Sequence, residues 1–118
     1  MQQHNRILAV DDNPTNIAIL EELLSDNYEL ATAASGEEAL EIAATFRPDL
    51  VLLDIMMPGI DGYETCQKMR ADPILHGTKI VMVSAKAMTS ERLKGYAAGA
   101  DDYVTKPFDA AELLAKVQ

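Results

Sequence analysis

Residues 49–62 read Asp49-Leu50-Val51-Leu52-Leu53-Asp54-Ile55-Met56-Met57-Pro58-Gly59-Ile60-Asp61-Gly62, and this stretch decides the fold. Leu50 to Leu53 form an unbroken apolar run, short enough for a strand and buried on both of its faces. Asp54 follows at once, where a carboxylate is costly unless it is solvated or partnered. Pro58-Gly59 and Asp61-Gly62 then signal turns. Asp54 is therefore expected where a central strand meets its loop, at the edge where ligands gather in open α/β folds. The stretch alone is equally compatible with a plainer role, Asp54 capping the next turn.

Outward from this stretch, strands and helices alternate. Arg6 to Val10 is an apolar strand ending in Asp11-Asp12. Asn13-Pro14 supplies an N-cap and a proline at the first helical position, opening a helix from Pro14 to Ser25 with Ile17, Leu20, Leu23 and Leu24 at helical spacing. Tyr28 to Ala33 is a more polar strand. Ser35-Gly36-Glu37-Glu38 is a capping box for a helix running to Phe46, before Arg47-Pro48. Asp61 opens a helix to Ala71, and Pro73 closes it. Lys79 to Val83 is a fourth strand, followed by Ser84-Ala85. Thr89 to Ala98 is a helix with Gly99 as its C-cap. Gly95 inside it costs about 1 kcal/mol relative to alanine, which predicts a loosely held element. Asp102 to Val104 is a short fifth strand, and Asp109 to Val117 a last short helix.

This alternation predicts an α/β fold, a five-stranded parallel sheet with helices on both faces. The continuously apolar strands one, three and four belong in its centre, and the polar or short strands two and five at its edges. The order 2-1-3-4-5, flavodoxin-like, satisfies this.

Size and composition agree with one domain over the 118 residues. The apolar fraction of 48% and charged fraction of 25% are ordinary for a soluble protein, and no apolar run approaches a membrane span. The N-terminus carries no secretory signal. Cys66 is the only cysteine, read as a reduced, half-buried helix residue. These features favour the cytoplasm. Nineteen acids against ten bases, a net charge of −9, argue against binding to nucleic acid.

In a parallel sheet all strand C-termini share one edge, and strands one and three lie about 4.8 Å apart. Asp11, Asp12 and Asp54 then converge, and carboxylates so close must take up protons or share a cation. With oxygen donors only, the expected cation is Mg²⁺ or Mn²⁺ rather than Zn²⁺. Ser84 and Lys106 follow strands four and five at the same edge. A cation, an ammonium and a hydroxyl around one carboxylate suit phosphoryl transfer to Asp54 as nucleophile. Each residue also has an innocent reading alone: helix caps, a surface charge, a satisfied hydroxyl.

Taken together these motifs resemble the receiver domain of two-component response regulators and hybrid histidine kinases, over essentially the whole chain. The resemblance rests on Asp11-Asp12, on Asp54 in L-L-D-I-M-M-P-G, on Ser84-Ala85, on A-G-A-D-D-Y ending at Tyr103, and on Lys106-Pro107-Phe108. It implies that Asp12, Asp54 and the main-chain carbonyl of Met56 ligate Mg²⁺, with Asp11 acting largely through water. It implies phosphorylation of Asp54 from a phosphohistidine on a histidine kinase or phosphotransfer domain. Lys106 would pair with the phosphoryl group, and its bond to Pro107 is expected to be cis. Ser84 and Tyr103 would move as switch residues, remodelling the surface of helix four, strand five and helix five. Met56 and Lys86, at positions that tune phosphoryl lifetime, offer no carboxylate or amide, so slow self-dephosphorylation is expected. His4 and His76 are not expected to carry phosphate. The last helix stops at Gln118, consistent with one domain of a longer protein.

Other classes fit less well. A haloacid-dehalogenase-type phosphatase needs D-x-D after strand one, where this chain has Asp11-Asp12-Asn13. A nucleotide or flavin binder needs a Gly- or Ser/Thr-rich loop there. The alternative that remains is a binding module of the same fold that signals without phosphate.

Overall fold

The computed structural model of the protein describes residues 6–84, 89–106 and 110–117. Its elements are β1 (Arg6–Val10), α1 (Pro14–Leu24), β2 (Glu29–Ala33), α2 (Gly36–Phe46), β3 (Leu50–Asp54), α3 (Gly62–Ala71), β4 (Lys79–Ser84), α4 (Thr89–Ala97), β5 (Asp102–Thr105) and α5 (Ala110–Val117). All pairings are parallel, and the order is β2-β1-β3-β4-β5.

The apolar pattern explains that order. Every residue of β3 is buried, while β2 and β5 keep partly exposed positions, so the most apolar strand takes the centre. Side chains alternate across the sheet. Leu8, Val10, Val51, Leu53, Ile80, Met82 and Tyr103 face one layer with Ala39 and Ala43 of α2 and Cys66 and Met69 of α3. Ile7, Ala9, Leu50, Leu52, Val81, Val83 and Val104 face the other, with Leu20 and Leu24 of α1 and Leu113 and Val117 of α5. Residues two apart share a face, so both layers need apolar partners from the same strands.

Several boundaries differ from expectation by a residue, each for a local reason. β3 includes Asp54 itself, and just before it the Asp49 carboxylate accepts the Arg6 amide at 3.0 Å. β4 extends to Ser84 and β5 to Thr105 because those two residues pair with each other. Ser25 is the C-cap of α1 rather than its last turn. Ser35 accepts the Glu38 amide at 3.1 Å, but Glu38 reaches back to Ala34 at 2.7 Å, one residue before the cap. Cys66 is fully buried rather than half-buried, and burial pushes its thiol up to about 11.

The end of α4 is a complete Schellman motif. Ala100 N–H donates to Gly95 O at 3.1 Å and Gly99 N–H to Tyr96 O at 3.0 Å, with Gly99 at φ +112°. Gly95 itself is buried against the sheet. A Cβ there would meet Met82, Tyr103 and Tyr63 at 3.5–3.8 Å, ordinary contact distances.

Candidate functional site

Asp11 is the residue after β1, and its amide is held by Ala33 O at 3.0 Å. Its carboxylate is fixed from three sides. Oδ1 accepts the Asn13 amide at 2.9 Å, and Oδ2 accepts the Asn16 side-chain amide at 3.2 Å and lies 3.0 Å from Lys106 Nζ. Asp12 is exposed, while Asn13 turns away to cap α1, accepting the Thr15 amide at 2.8 Å. The Asp-Asp-Asn-Pro run thus divides its labour: one carboxylate inward, one outward, then a helix cap.

Asp54 is the last residue of β3 and only 4% exposed. Its Oδ1 lies 3.1 Å from the same Lys106 ammonium. Asp11, Asp12 and Asp54 each offer a carboxylate oxygen, all within 4.8 Å of one another. Burial pushes the Asp54 carboxyl above the ordinary range, and the neighbouring Asp11 charge adds to this, opposed by Lys106. Burial alone would lower the Lys106 ammonium, but its hydrogen bonds to Asp11 and Asp54 outweigh that and raise it. Lys106 therefore stays charged, and it bridges the two buried acids.

Among the described residues, one ammonium lies with three carboxylates at this edge, which leaves negative charge uncompensated. Such a site favours a further cation, and the donor set is all oxygen, which suits a hard divalent ion. These residues fit Mg²⁺. Met56 follows two residues after Asp54 and is 67% exposed.

Ser84 is buried at the end of β4, and its carbonyl accepts the Lys106 amide at 2.8 Å. That bond places the root of Lys106 beside the ends of the central strands. Tyr103 is only 2% exposed, so its ring is already inside the sheet–helix layer. Ala85, Lys86, Pro107, Phe108 and His4 lie outside the described residues. His76 sits in the exposed α3–β4 loop, where its carbonyl accepts Arg70 Nη1 at 2.9 Å.

Three contributors escaped the sequence reading. Asn16 steadies Asp11 from the first turn of α1, and only a helix built at Pro14 reveals that reach. Gly62 packs against the backbone of Asp54 itself: a Cβ there would stand 2.5 Å from Asp54 O and 2.7 Å from Ile55 Cα. Glu37, in the first turn of α2, accepts the Ile60 amide at 3.2 Å and so holds the loop that follows Asp54. A cleft of ≈ 540 Å³ opens beside Asp11 and Asp12 towards Ile17 and Glu38, but Asp54 does not line it.

The family model described as the response regulator receiver domain matches residues 7–118. Among curated proteins, the chain is 42% identical over 114 residues to the response regulator PleD of Caulobacter vibrioides, covering 96% of the chain and 25% of that protein. It is 44% identical to the DNA-binding response regulator MtrA of Mycolicibacterium smegmatis, covering 96% of the chain and 49% of that protein. The chain thus spans half or less of these relatives. Among solved structures, a response regulator described as putative from Chloroflexus aurantiacus superposes with a TM-score of 0.92 at 40% identity, covering 98% of this chain and 95% of that one. The receiver domain of a Pseudomonas aeruginosa sensor histidine kinase, with a magnesium ion coordinated in its active site cleft, superposes with a TM-score of 0.89 at 33% identity, covering 98% and 96%.

Proposed function

Because the chain belongs to the response regulator receiver domain family of two-component signalling, we propose that it accepts a phosphoryl group on Asp54 from a partner's phosphohistidine. One Asp54 carboxylate oxygen attacks phosphorus. The phosphorus–nitrogen bond breaks, its electron pair stays on the imidazole, and that nitrogen takes a proton from solvent. The product is an acyl phosphate at Asp54.

The observation that carries this reading is the single ammonium of Lys106, 3.0 Å from Asp11 and 3.1 Å from Asp54, beside the exposed Asp12. Lys106 orients the Asp54 carboxylate through one oxygen and leaves the other for attack. It then sits within reach of an oxygen of the bound phosphoryl group. Asp11, Asp12, Asp54 and the Met56 carbonyl would hold Mg²⁺, which when bound neutralises charge on the phosphoryl oxygens. Ser84 would donate to a phosphoryl oxygen, and Tyr103 would follow its movement, altering the surface of α4, β5 and α5. A histidine kinase or histidine phosphotransfer domain is the proposed donor, in the cytoplasm. Residues 1–118 act as one domain, and any output activity belongs to a partner or a further domain. Self-dephosphorylation is slow because neither Met56 nor Lys86 can orient a water.

The test is incubation with Mg²⁺ and acetyl phosphate, followed by intact-mass measurement. A gain of one phosphoryl group, lost in Asp54→Asn, supports the proposal. No gain in the unaltered chain favours the module that signals without phosphate.

A further inference from the structure

The start of α2 is seated on the loop that leaves Asp54. Glu37, exposed in the first turn of α2, accepts the Ile60 amide through Oε2 at 3.2 Å. The same carboxylate lies over Gly59, where a built Cβ would stand 2.6 Å from Oε2 and 3.0 Å from Oε1. Gly59 has φ +79°, so glycine both suits the backbone there and leaves the carboxylate its room. Gly36, the residue before Glu37, is buried. A Cβ on it would overlap the Thr65 hydroxyl of α3 and stand 2.7 Å from Ile60 Cγ1.

The two ends of this loop are held by other groups. Ile55 N–H donates to Val83 O at 3.2 Å, and Gly62 N–H to Ile55 O at 2.9 Å. The Asp61 side chain accepts the Glu64 amide at 2.9 Å, and the Thr65 hydroxyl donates to Asp61 O at 2.8 Å. Glu37 grips the span between those ends, which carries Met56. We propose that Glu37 is a positioning residue for the cation: its bond to Ile60 fixes the loop, and with it the Met56 carbonyl. This rests on the reading above, in which that carbonyl is a ligand to Mg²⁺. Mg²⁺ demands near-ideal octahedral geometry, so a loop free to shift holds it less well. The Ile60 amide is a neutral donor, so what it requires is an acceptor at the right reach rather than a charge.

The experiment titrates Mg²⁺ into the isotopically labelled chain and follows backbone amide shifts by NMR. Glu37→Gln keeps the reach and loses the charge. Glu37→Asp keeps the charge and loses the reach, and Glu37→Ala loses both. Glu37→Ala and Glu37→Asp are expected to bind Mg²⁺ about tenfold more weakly, the lower end of what removing a group that orients a metal ligand costs. Glu37→Gln is expected to stay within about twofold, because an exposed charge is largely screened at physiological ionic strength. The Ile60 amide should exchange with solvent faster in Glu37→Ala and Glu37→Asp than in Glu37→Gln. A loss in Glu37→Gln equal to that in Glu37→Ala would make the effect one of charge and overturn the proposal. Unchanged affinity in Glu37→Ala or Glu37→Asp overturns it as well. Arg70→Ala, which cuts bonds to Gly99 O and Thr78 O instead, is the control for general loosening, and an equal loss of affinity there also overturns it. An unaltered chain whose amides do not respond to Mg²⁺ sinks the metal reading itself, whereas failure in the variants alone sinks only the role of Glu37.

Discussion

Gly62→Ala tests whether the backbone behind Asp54 is as tightly built as the distances say. The added Cβ would stand 2.5 Å from Asp54 O, whereas ordinary contact begins at 3.4 Å. Helix α3 and the end of β3 must therefore part by about 0.9 Å, and neither neighbour is a flexible side-chain tip. That separation also stretches the bond from Gly62 N–H to Ile55 O, now 2.9 Å. Overpacking of this kind costs about 1–3 kcal/mol and the lost hydrogen bond about 1. Against this, alanine gains at most about 1 kcal/mol in helix propensity, less at the first helical position. The net expectation is a loss of about 2–3 kcal/mol, or roughly 8–12 °C in Tm for a domain of this size. Misplacing a nucleophile by nearly 1 Å also slows its reaction, by up to about a hundredfold. Thermal unfolding and the acetyl phosphate time course check the two halves together. A Tm within about 2 °C of the unaltered chain, with unchanged phosphorylation, would refute the steric reasoning.

Three other perturbations follow from the same structure. Arg70→Ala removes bonds from Nε to Gly99 O at 2.8 Å, from Nη1 to His76 O and Thr78 O, and from Nη2 to Asp101 Oδ2 at 2.7 Å. Chemical denaturation should show a loss of about 2–4 kcal/mol; a loss under about 1 would mean the acceptors find water freely. Arg47 closes α2 at φ 52°, with its side chain exposed, so Arg47→Gly relieves left-handed strain and should raise stability by about 0.5–1 kcal/mol in the same assay. Asp102 lies 2.8 Å from Lys116 Nζ; burial would raise its carboxyl, but the hydrogen bonds from Lys116 and the Tyr103 amide, with the charges of Lys116 and Lys79, together outweigh burial and hold the group below the ordinary carboxylate range. A depressed acid contributes stability above its unfolded value and loses it as pH falls through the folded one. Asp102→Asn should therefore be less stable by up to about 1 kcal/mol at neutral pH, with the gap closing below about pH 4. A gap that persists unchanged into acid would assign the effect to shape rather than charge.

The sheet was legible because its strands bury both faces. Leu50–Leu53 and Arg6–Val10 leave no polar face to hide, so they had to be central, and their neighbours followed. The acidic cluster was legible for the same reason: a parallel sheet brings strand ends together however far apart they lie in the chain. What stayed hidden depends on approach rather than order. In sequence Gly62 reads as a turn residue and Gly95 as a break in helical propensity, and neither reading gives the approach. One faces a backbone carbonyl at 2.5 Å, where a Cβ cannot fit, and the other faces side chains at 3.5–3.8 Å, where it can. Asn16 and Arg70 act through long side chains whose targets, Asp11 in one case and the α4–β5 turn in the other, are fixed only once the helices are docked.

The anchors of α4 and those of Lys106 differ in kind. Its C-terminal end is tied by the Schellman bonds at Gly99 and by Arg70, whose Nε holds the Gly99 carbonyl. Its last turns rest on the Tyr63 and Tyr103 rings through Gly95, with no side chain between. Lys106, one strand register away, is tied to Asp11, to Asp54 and through its amide to Ser84. A phosphoryl group placed on Asp54 would compete for the Lys106 ammonium and add charge where negative charge already exceeds positive. Asp11 is pinned by Asn13, Asn16 and Lys106, whereas Asp54 meets the same ammonium through Oδ1, so that competition falls first on the Lys106–Asp54 pair.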